Sequence, residues 1–181
     1  MKMKIQEEME IPAGISCTFS GKTFTASKGS LNLERIINIP SVKVEIRGNK
    51  IILTAEKGNK NELKFIKTNI AHIKNLFSGL DNKYTYRLEA CNVHFPMTLK
   101  VEPHALVINN FLGEKVPRRA VIPTGAEVEV KGLKITITSH DKEAAGKAAT
   151  NIEKATKIRN RDRRIFQDGI FITEKPIGVA K

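Results

Sequence analysis

The sequence is poor in the residue types that line large ligand pockets or cross-link secreted folds. It has no tryptophan, aromatic residues make up 6% of its 181 positions, and it contains two cysteines. A large pocket lined by aromatic rings is therefore not indicated. Two cysteines do not suggest a disulfide framework, and we expect a reduced, cytoplasmic setting.

Long apolar runs are also missing. No apolar stretch approaches the roughly 18 residues of a membrane span. The lysines of the N-terminal MKMKIQEEME are not followed by the apolar segment of a signal peptide. We therefore expect a cytoplasmic protein without a membrane partner.

Acidic residues are too few to balance the basic ones. The chain has 31 lysines and arginines against 19 aspartates and glutamates, which gives a formal net charge of +12. This charge predicts a polyanionic partner, with nucleic acid as the first candidate and an anionic membrane surface as the second. Charge alone does not distinguish DNA from RNA.

The sequence contains an internal repeat. Residues 44–55 (VEIRGNKIILTA) and 128–139 (VEVKGLKITITS) share six of twelve positions at an offset of 84, where about one match is expected by chance. An ancestral duplication explains this best, and the chain is long enough for two small domains. We predict an N-terminal module over residues 1–80 and a C-terminal module over residues 81–181. Two similar modules on a basic chain indicate a clamp or scaffold more than a single catalytic cleft.

Strand signals open the first copy. Residues 15–19 and 22–26 are rich in β-forming residues and flank a turn at Gly21, so they predict a hairpin. Residues 42–47 alternate between apolar and charged side chains. After a Gly-Asn turn, residues 50–55 return, which predicts a second hairpin.

A helix is predicted for residues 60–78 because their apolar side chains follow a helical period. Asn59 or Asn61 can cap its start, and Gly79 can close its end. Residues 78–83 are then expected to be the linker. The predicted apolar stripe consists of Leu63, Ile66, Ile70, Ile73 and Phe77.

The second copy repeats this order. Strand candidates at residues 97–102 and 105–110 precede a hairpin over residues 126–138, and Asp141 can cap a helix that runs to about residue 158. Each module is therefore predicted to be α+β, a mainly antiparallel sheet with one helix packed on a face. The stripe of the second helix has small side chains: Ala145, Ala148, Ala149, Ile152 and Ala155.

The second copy ends in a segment that the first copy lacks. Residues 157–164 (KIRNRDRR) hold five cations opposed only by Asp162. The planar guanidinium of arginine suits phosphate oxygens, so this segment predicts a phosphate-binding site, although a solvated helix end would explain some of the charge. Residues 169–173 can add a short strand. The candidate RNA-binding residues are Lys154, Lys157, Arg159, Arg161, Arg163, Arg164 and Lys175, with Arg118 and Arg119 as a second phosphate contact or a solvated loop.

Two phenylalanines are interleaved with these charges. Phe166 and Phe171 can either stack on RNA or anchor the segment to its own domain, and anchoring is the preferred interpretation.

Two motifs that would indicate other chemistry are incomplete. Residues 14–23 (GISCTFSGKT) resemble a P-loop, but Ser16 stands where the pattern requires glycine, and no helix is predicted after Gly21. Cys91 and His94 have half of a zinc spacing, and the other candidate ligands are scattered. No serine-histidine-aspartate spacing stands out. We expect no catalytic residue, cofactor, metal or small-molecule substrate, and a nucleotide-dependent enzyme built around Gly21 is the weaker alternative.

Several stretches of the sequence resemble one known family. The two repeated hairpins, EEMEIPAG near the start, NVHFP in the centre and above all IRNRDRRIFQDGIFITEKP near the end are similar to the universal large-subunit ribosomal protein family L-six, in its archaeal-type form. The resemblance covers essentially the whole chain. The glycine- and lysine-rich ending of the bacterial branch is absent, which favours the archaeal and eukaryotic side.

The resemblance implies two tandem copies of one α+β fold bound to large-subunit ribosomal RNA. It implies that the C-terminal module makes most RNA contacts, near the sarcin–ricin loop and the translation-factor site, and that the protein has no catalytic activity. Neighbouring ribosomal proteins and nearby translation GTPase factors are the further partners it implies. The remaining alternative is a non-ribosomal protein that binds structured nucleic acid and grips both sides of a duplex.

Overall fold

The computed structural model describes residues 3–38 and 42–176. The chain divides into two compact units, Met1–Asn82 and Lys83–Lys181, which we call the first and the second unit. No helix within the described ranges is long and apolar enough to cross a membrane.

The described part of the first unit forms two three-stranded antiparallel sheets and one helix. The sheet orders are β1-β6-β5 and β2-β3-β4. The elements are β1 (Met3–Glu10), β2 (Ser16–Ser20), β3 (Thr23–Lys28), β4 (Leu31–Ile36), β5 (Lys43–Arg47), β6 (Lys50–Gly58) and α1 (Lys60–Asp81).

The described part of the second unit has the same plan with one strand added. Its sheets have the orders β8-β9-β10 and β11-β12-β7-β13. The elements are β7 (Tyr84–Cys91), β8 (Thr98–Glu102), β9 (Ala105–Asn109), β10 (Arg118–Val121), β11 (Glu127–Lys131), β12 (Lys134–Ser139), α2 (Lys142–Ala155) and β13 (Gly169–Glu174), with a short 3-10 turn at Phe111–Gly113.

The two units confirm the predicted α+β fold of duplicated modules. The sheet β1-β6-β5 corresponds to β7-β12-β11, the sheet β2-β3-β4 corresponds to β8-β9-β10, and each set of strands is followed by one helix. Both predicted pairs of hairpins are present and antiparallel. The main difference is β13, which pairs with β7 on the edge that faces away from β12.

The predicted stripe of α1 faces the core, but the helix is longer than expected. Ile66 and Ile73 are fully buried, and Asn59 is the N-cap, completed by a capping box with Glu62. Gly79 does not end the helix, because Leu80 continues the apolar stripe and is 4% exposed. Burial of a leucine side chain stabilises by more than the roughly 1 kcal/mol that a helical glycine costs. The predicted linker at residues 78–83 is therefore wrong for the four residues that remain helical.

The second helix begins where predicted and ends earlier. Asp141 caps α2 by accepting a hydrogen bond from the backbone N–H of Glu143. Its alanines at 145, 148 and 149 are fully buried against the sheets. The helix stops at Ala155, about three residues before the expected end, because Thr156 turns inward and becomes buried, 3% exposed. The early end frees the cationic segment from helical geometry.

Four strands were not predicted from the sequence, namely β1, β4, β7 and β10. β1 contains Glu7, Glu8 and Glu10, which are poor strand formers, and it becomes a strand by pairing with the distant β6. β4 and β7 likewise complete their sheets through antiparallel pairing with β3 and β12. Pairing partners far away in the sequence decide β1 and β7, whereas β4 and β10 pair with the strand that directly precedes them in the chain.

Candidate nucleic-acid interface

The cationic segment after α2 forms an irregular loop, residues 157–168, which we call the basic loop. It is neither a strand nor a helix. Its turn is held by the backbone N–H of Phe166, which donates to the carbonyl oxygen of Asp162 at 2.9 Å. The Arg164 side chain also donates to the Asp162 carboxylate at 3.0 Å. Two of the loop's own side chains thus shape it before any partner is bound.

Phe166 anchors the basic loop to the second unit, as the preferred interpretation predicts. Its ring is 4.9 Å from the His94 ring between centroids, with an angle of 30° between the planes. The Arg161 guanidinium lies 4.8 Å from the centroid of the same ring. The ring is half-buried and contacts both His94 and Arg161, so it stabilises the packing of the loop itself.

Asp168 fixes the end of the basic loop. Its side chain is 2% exposed and accepts hydrogen bonds from the backbone N–H groups of Val93 and His94, at 2.6 and 3.0 Å. The His94 ring also lies within hydrogen-bond distance of the carboxylate through Nδ1. Because an ionised carboxylate only accepts, Nδ1 is the donor. Burial raises the pKa of Asp168, but these hydrogen bonds outweigh it and hold the pKa below its ordinary value.

The half zinc spacing at Cys91 and His94 therefore has a structural explanation. His94 is oriented by Asp168, and Cys91 is exposed on β7. Within residues 3–38 and 42–176, no group of three or more histidine, cysteine, aspartate or glutamate side chains is arranged to hold a metal ion. The P-loop-like Gly21 lies in the turn between β2 and β3 with a φ of 61°, and a strand follows it.

Two hydrogen bonds attach β13 to the end of α2. The backbone N–H of Ile170 donates to Thr156 Oγ1 at 2.9 Å, and that of Ile172 points to Glu153 Oε1 at 3.5 Å. The basic loop is consequently closed at both ends, by the C-terminus of α2 and by a strand of the sheet. Sequence reasoning missed Thr156 and Asp168 as individual residues. Asp168 lies in the stretch that resembles the L-six family, but neither residue stands at a spacing that indicates its hydrogen-bond partners.

Arg118 is occupied by contacts inside the second unit. Its guanidinium donates to both carboxylate oxygens of Glu114, to the carbonyl of Ala155 at 2.8 Å and to that of Lys157 at 3.3 Å. It also lies 4.3 Å from the centroid of the Phe111 ring. Arg118 therefore holds the C-terminal carbonyls of α2, which are otherwise without helical partners, and positions the start of the basic loop.

The other predicted cations differ in how they are paired. Arg119 forms an ion pair with Glu102, and its side chain is 63% exposed. Arg159 and Lys175 are exposed. Neither makes an ion pair within the described ranges.

A groove of about 880 Å³ brings the remaining candidates together. Three of the predicted residues line it, namely Lys154, Lys157 and Arg163, and none of the three makes an ion pair with the described residues. The two acidic residues of the lining are already engaged, because Asp168 is buried and hydrogen-bonded and Glu153 accepts from β13. Three cations line the groove against two carboxylates, so its net charge is positive, which suits an anionic ligand. Its other lining residues include Cys91, Val93, Phe166, Gln167, Ile170 and Phe171.

The contacts of Arg118 and Arg119 generate a paired prediction. We expect Arg118→Ala to lower the free energy of unfolding by about 2 to 3 kcal/mol, because it removes charge-assisted hydrogen bonds and leaves helix carbonyls unsatisfied. Arg119→Ala removes an exposed ion pair and should cost less than about 1 kcal/mol. Urea unfolding followed by circular dichroism measures both. Equal losses for the two variants would contradict the structural role of Arg118.

The environment of Asp168 generates a pH-dependent prediction. Asp168→Asn should lower the free energy of unfolding at pH 7 by about 1 to 3 kcal/mol, because two partly buried backbone N–H donors lose a charged acceptor. The folded-state pKa lies below the ordinary value of 3.8. The wild-type advantage is therefore present above that value and is lost as the pH falls through the folded-state pKa.

Urea titrations from pH 7 to pH 2.5 test this, with Asp162→Asn in the same loop as the exposed control. A difference between wild type and Asp168→Asn that does not shrink below pH 4 would contradict the assignment.

The sequence matches known proteins along nearly its whole length. Residues 95–169 match the family described as ribosomal protein L6. The chain is 40% identical over 175 residues to the large ribosomal subunit protein uL6 of Methanosarcina mazei, which covers 97% of this chain and 99% of that protein. It is 36% identical over 171 residues to the protein of the same name from Methanococcus vannielii, covering 94% of each.

These relatives confirm the resemblance seen in the sequence, including its archaeal type. They are structural proteins of a non-enzymatic family, so the interpretation as a nucleotide-dependent enzyme is wrong. With this identity extending over both units, the chain belongs to the ribosomal protein L6 family.

Proposed function

We propose that the protein is a non-catalytic constituent of the large ribosomal subunit in the cytoplasm and binds large-subunit ribosomal RNA through its second unit. The groove beside the basic loop carries this proposal, because Lys154, Lys157 and Arg163 line it without acidic partners among the described residues. The names of the relatives, large ribosomal subunit protein uL6, support the assembly.

The binding mechanism follows from charge and shape. Each phosphate neutralised by a lysine or arginine releases condensed counterions, which favours binding and makes it salt-dependent. Structured RNA presents phosphates and 2′-hydroxyl groups in fixed positions, so a rigid protein surface recognises it by shape. The basic loop meets this requirement, because Arg118 holds its start while Asp168 and Phe166 hold its end.

The predicted cations fall into two groups in this proposal. Lys154, Lys157 and Arg163 contact phosphates from the groove, and the exposed Arg159 and Lys175 extend the contact surface. The arginines of the second group already have contacts inside the protein and add weaker contacts to RNA. They are Arg161, Arg164, Arg118 and Arg119.

The first unit has a different role in this proposal. It lacks a counterpart of the basic loop and of β13 within the described residues, and it serves as a spacer or second contact that fixes orientation. The bound RNA is the region of the sarcin–ricin loop, which translation GTPase factors approach, and neighbouring ribosomal proteins adjoin the protein there. In this way the protein braces the RNA against which those factors dock.

Cosedimentation tests the assembly. Native extract is layered on a sucrose gradient in a high-salt wash, and fractions are probed for the protein. We expect it to follow the large subunit through the wash, because an integral component is held by many phosphate contacts. Recovery at the top of the gradient would favour the alternative of a non-ribosomal nucleic-acid binder, which a preference for free duplex DNA over ribosomal RNA would then support.

Salt-dependent binding to deproteinised large-subunit RNA tests the groove. Simultaneous replacement of Lys154, Lys157 and Arg163 by alanine should reduce the slope of log K against log salt by about 2 to 3 units, since each lost contact removes slightly less than one. Filter binding between about 50 and 200 mM salt gives the slope.

The matched control removes three exposed lysines of α1, which are Lys60, Lys64 and Lys67. It changes the net charge by the same amount in the other unit and should leave the slope close to the wild-type value. An equal decrease in both triple variants would show that net charge, and not the groove, governs binding.

A further inference from the structure

One aromatic side chain of the groove is only partly covered by the protein. Phe171 lies on β13, the edge strand of the four-stranded sheet. It is 43% exposed, although its neighbours Ile170 and Ile172 point into or pack against the core. Phe166, the other aromatic residue of the groove, is occupied by His94 and Arg161. Phe171 therefore offers an aromatic surface that the basic loop leaves open.

The ring of Phe171 lies over Gly169. A Cβ atom at Gly169 would lie 3.0 Å from Phe171 Cζ and 3.2 Å from Cε2. The ring thus leans back along the strand, and its outer end covers the glycine. One side of the ring rests on the backbone while the other faces the groove and solvent. A phenylalanine side chain has only two rotatable bonds, so it loses little conformational entropy when a ligand stacks on it.

The surroundings of the ring suit a nucleotide. Lys154, Lys157 and Arg163 line the same groove, so phosphates on either side of a stacked base would meet unpaired cations. On the neighbouring strand, Glu89 lies opposite Phe171 in the antiparallel register and is exposed. Its carboxylate is an acceptor for the exocyclic amino group of a base. Positive charge beside an accessible aromatic ring is the combination with which proteins bind unpaired bases.

We propose that Phe171 is a stacking platform for one unpaired base of the ribosomal RNA, with the groove cations holding the adjacent phosphates. This inference rests on the proposed function and adds a recognition element to it. Stacking is not electrostatic, so its contribution should persist at high salt, where the phosphate contacts weaken. The two contributions are therefore separable by experiment.

The absence of tryptophan from the sequence provides a direct probe. Phe171→Trp introduces the single indole of the chain at the proposed platform. Titration with deproteinised large-subunit RNA should quench its fluorescence with the same midpoint as filter binding. The control is Phe65→Trp on α1, since Phe65 is similarly exposed at 52% and should not be quenched.

Truncation gives the energetic test. Phe171→Ala should weaken binding to the same RNA by about 5- to 150-fold, which is the loss of affinity expected when one base–aromatic stack is removed. The slope of log K against log salt should stay at the wild-type value, and Phe171→Tyr should restore binding. Phe65→Ala is the matched control, and thermal unfolding of each variant confirms that the fold is retained.

The outcomes distinguish this inference from the proposed function. Binding by the wild type, together with an unquenched indole and an unchanged affinity of Phe171→Ala, would overturn the stacking platform alone. A wild-type protein that does not bind the RNA would overturn both. Weaker binding of Phe171→Ala with a reduced salt slope would also count against stacking, because it would show that the change acts through the cations.

Discussion

The buried carboxylate of Asp168 is the contact on which the candidate interface depends. Five cations in eight residues repel one another, so charge alone would drive the basic loop into extended conformations. Asp168 opposes this by joining the end of the loop to the backbone of Val93 and to His94. The stacking of Phe166 on His94 adds a second attachment at nearly the same place. A single negative charge thus fixes a surface whose other charges are mostly positive.

Pairing, more than position, separates the cations of the second unit into structural and accessible ones. Arg118 and Arg163 are both arginines near the end of α2. Arg118 donates to three carbonyl or carboxylate partners and lies on an aromatic ring, whereas Arg163 lines the groove without an ion pair to the described residues. Desolvating an arginine that is already paired means breaking contacts that stabilise the fold. An accessible, unpaired cation meets a phosphate at lower cost, which is why equal charges differ in what they contribute.

Local signals in the sequence were sufficient for the hairpins, the helix starts and the duplication. Alternation over residues 42–47 and the glycine turns depend on neighbours only, as does the capping of α2 by Asp141. β1 and β7 are determined by pairing across the sheet, and no local pattern reports that. The cationic residues of the candidate interface were selected from the sequence, and their role in binding stays a prediction. The sequence did not show which cations are paired inside the fold, because Arg118 donates to a carbonyl 37 residues away. The contact that fixes the loop was hidden for the same reason, since Asp168 accepts from Val93, which is 75 residues away.

The closed ends of the basic loop have a thermodynamic consequence. An arginine-rich tail that is free in solution must lose its chain entropy when it binds, and this ordering subtracts from its affinity. In this protein β13 pairs with the sheet, so the basic loop loses its chain entropy when the protein folds. Burial of the hydrophobic core of the second unit offsets that loss. Binding then begins from a chain that is already arranged. In the proposed complex, the added strand, which carries few charges of its own, thereby raises the affinity that the neighbouring cations can reach.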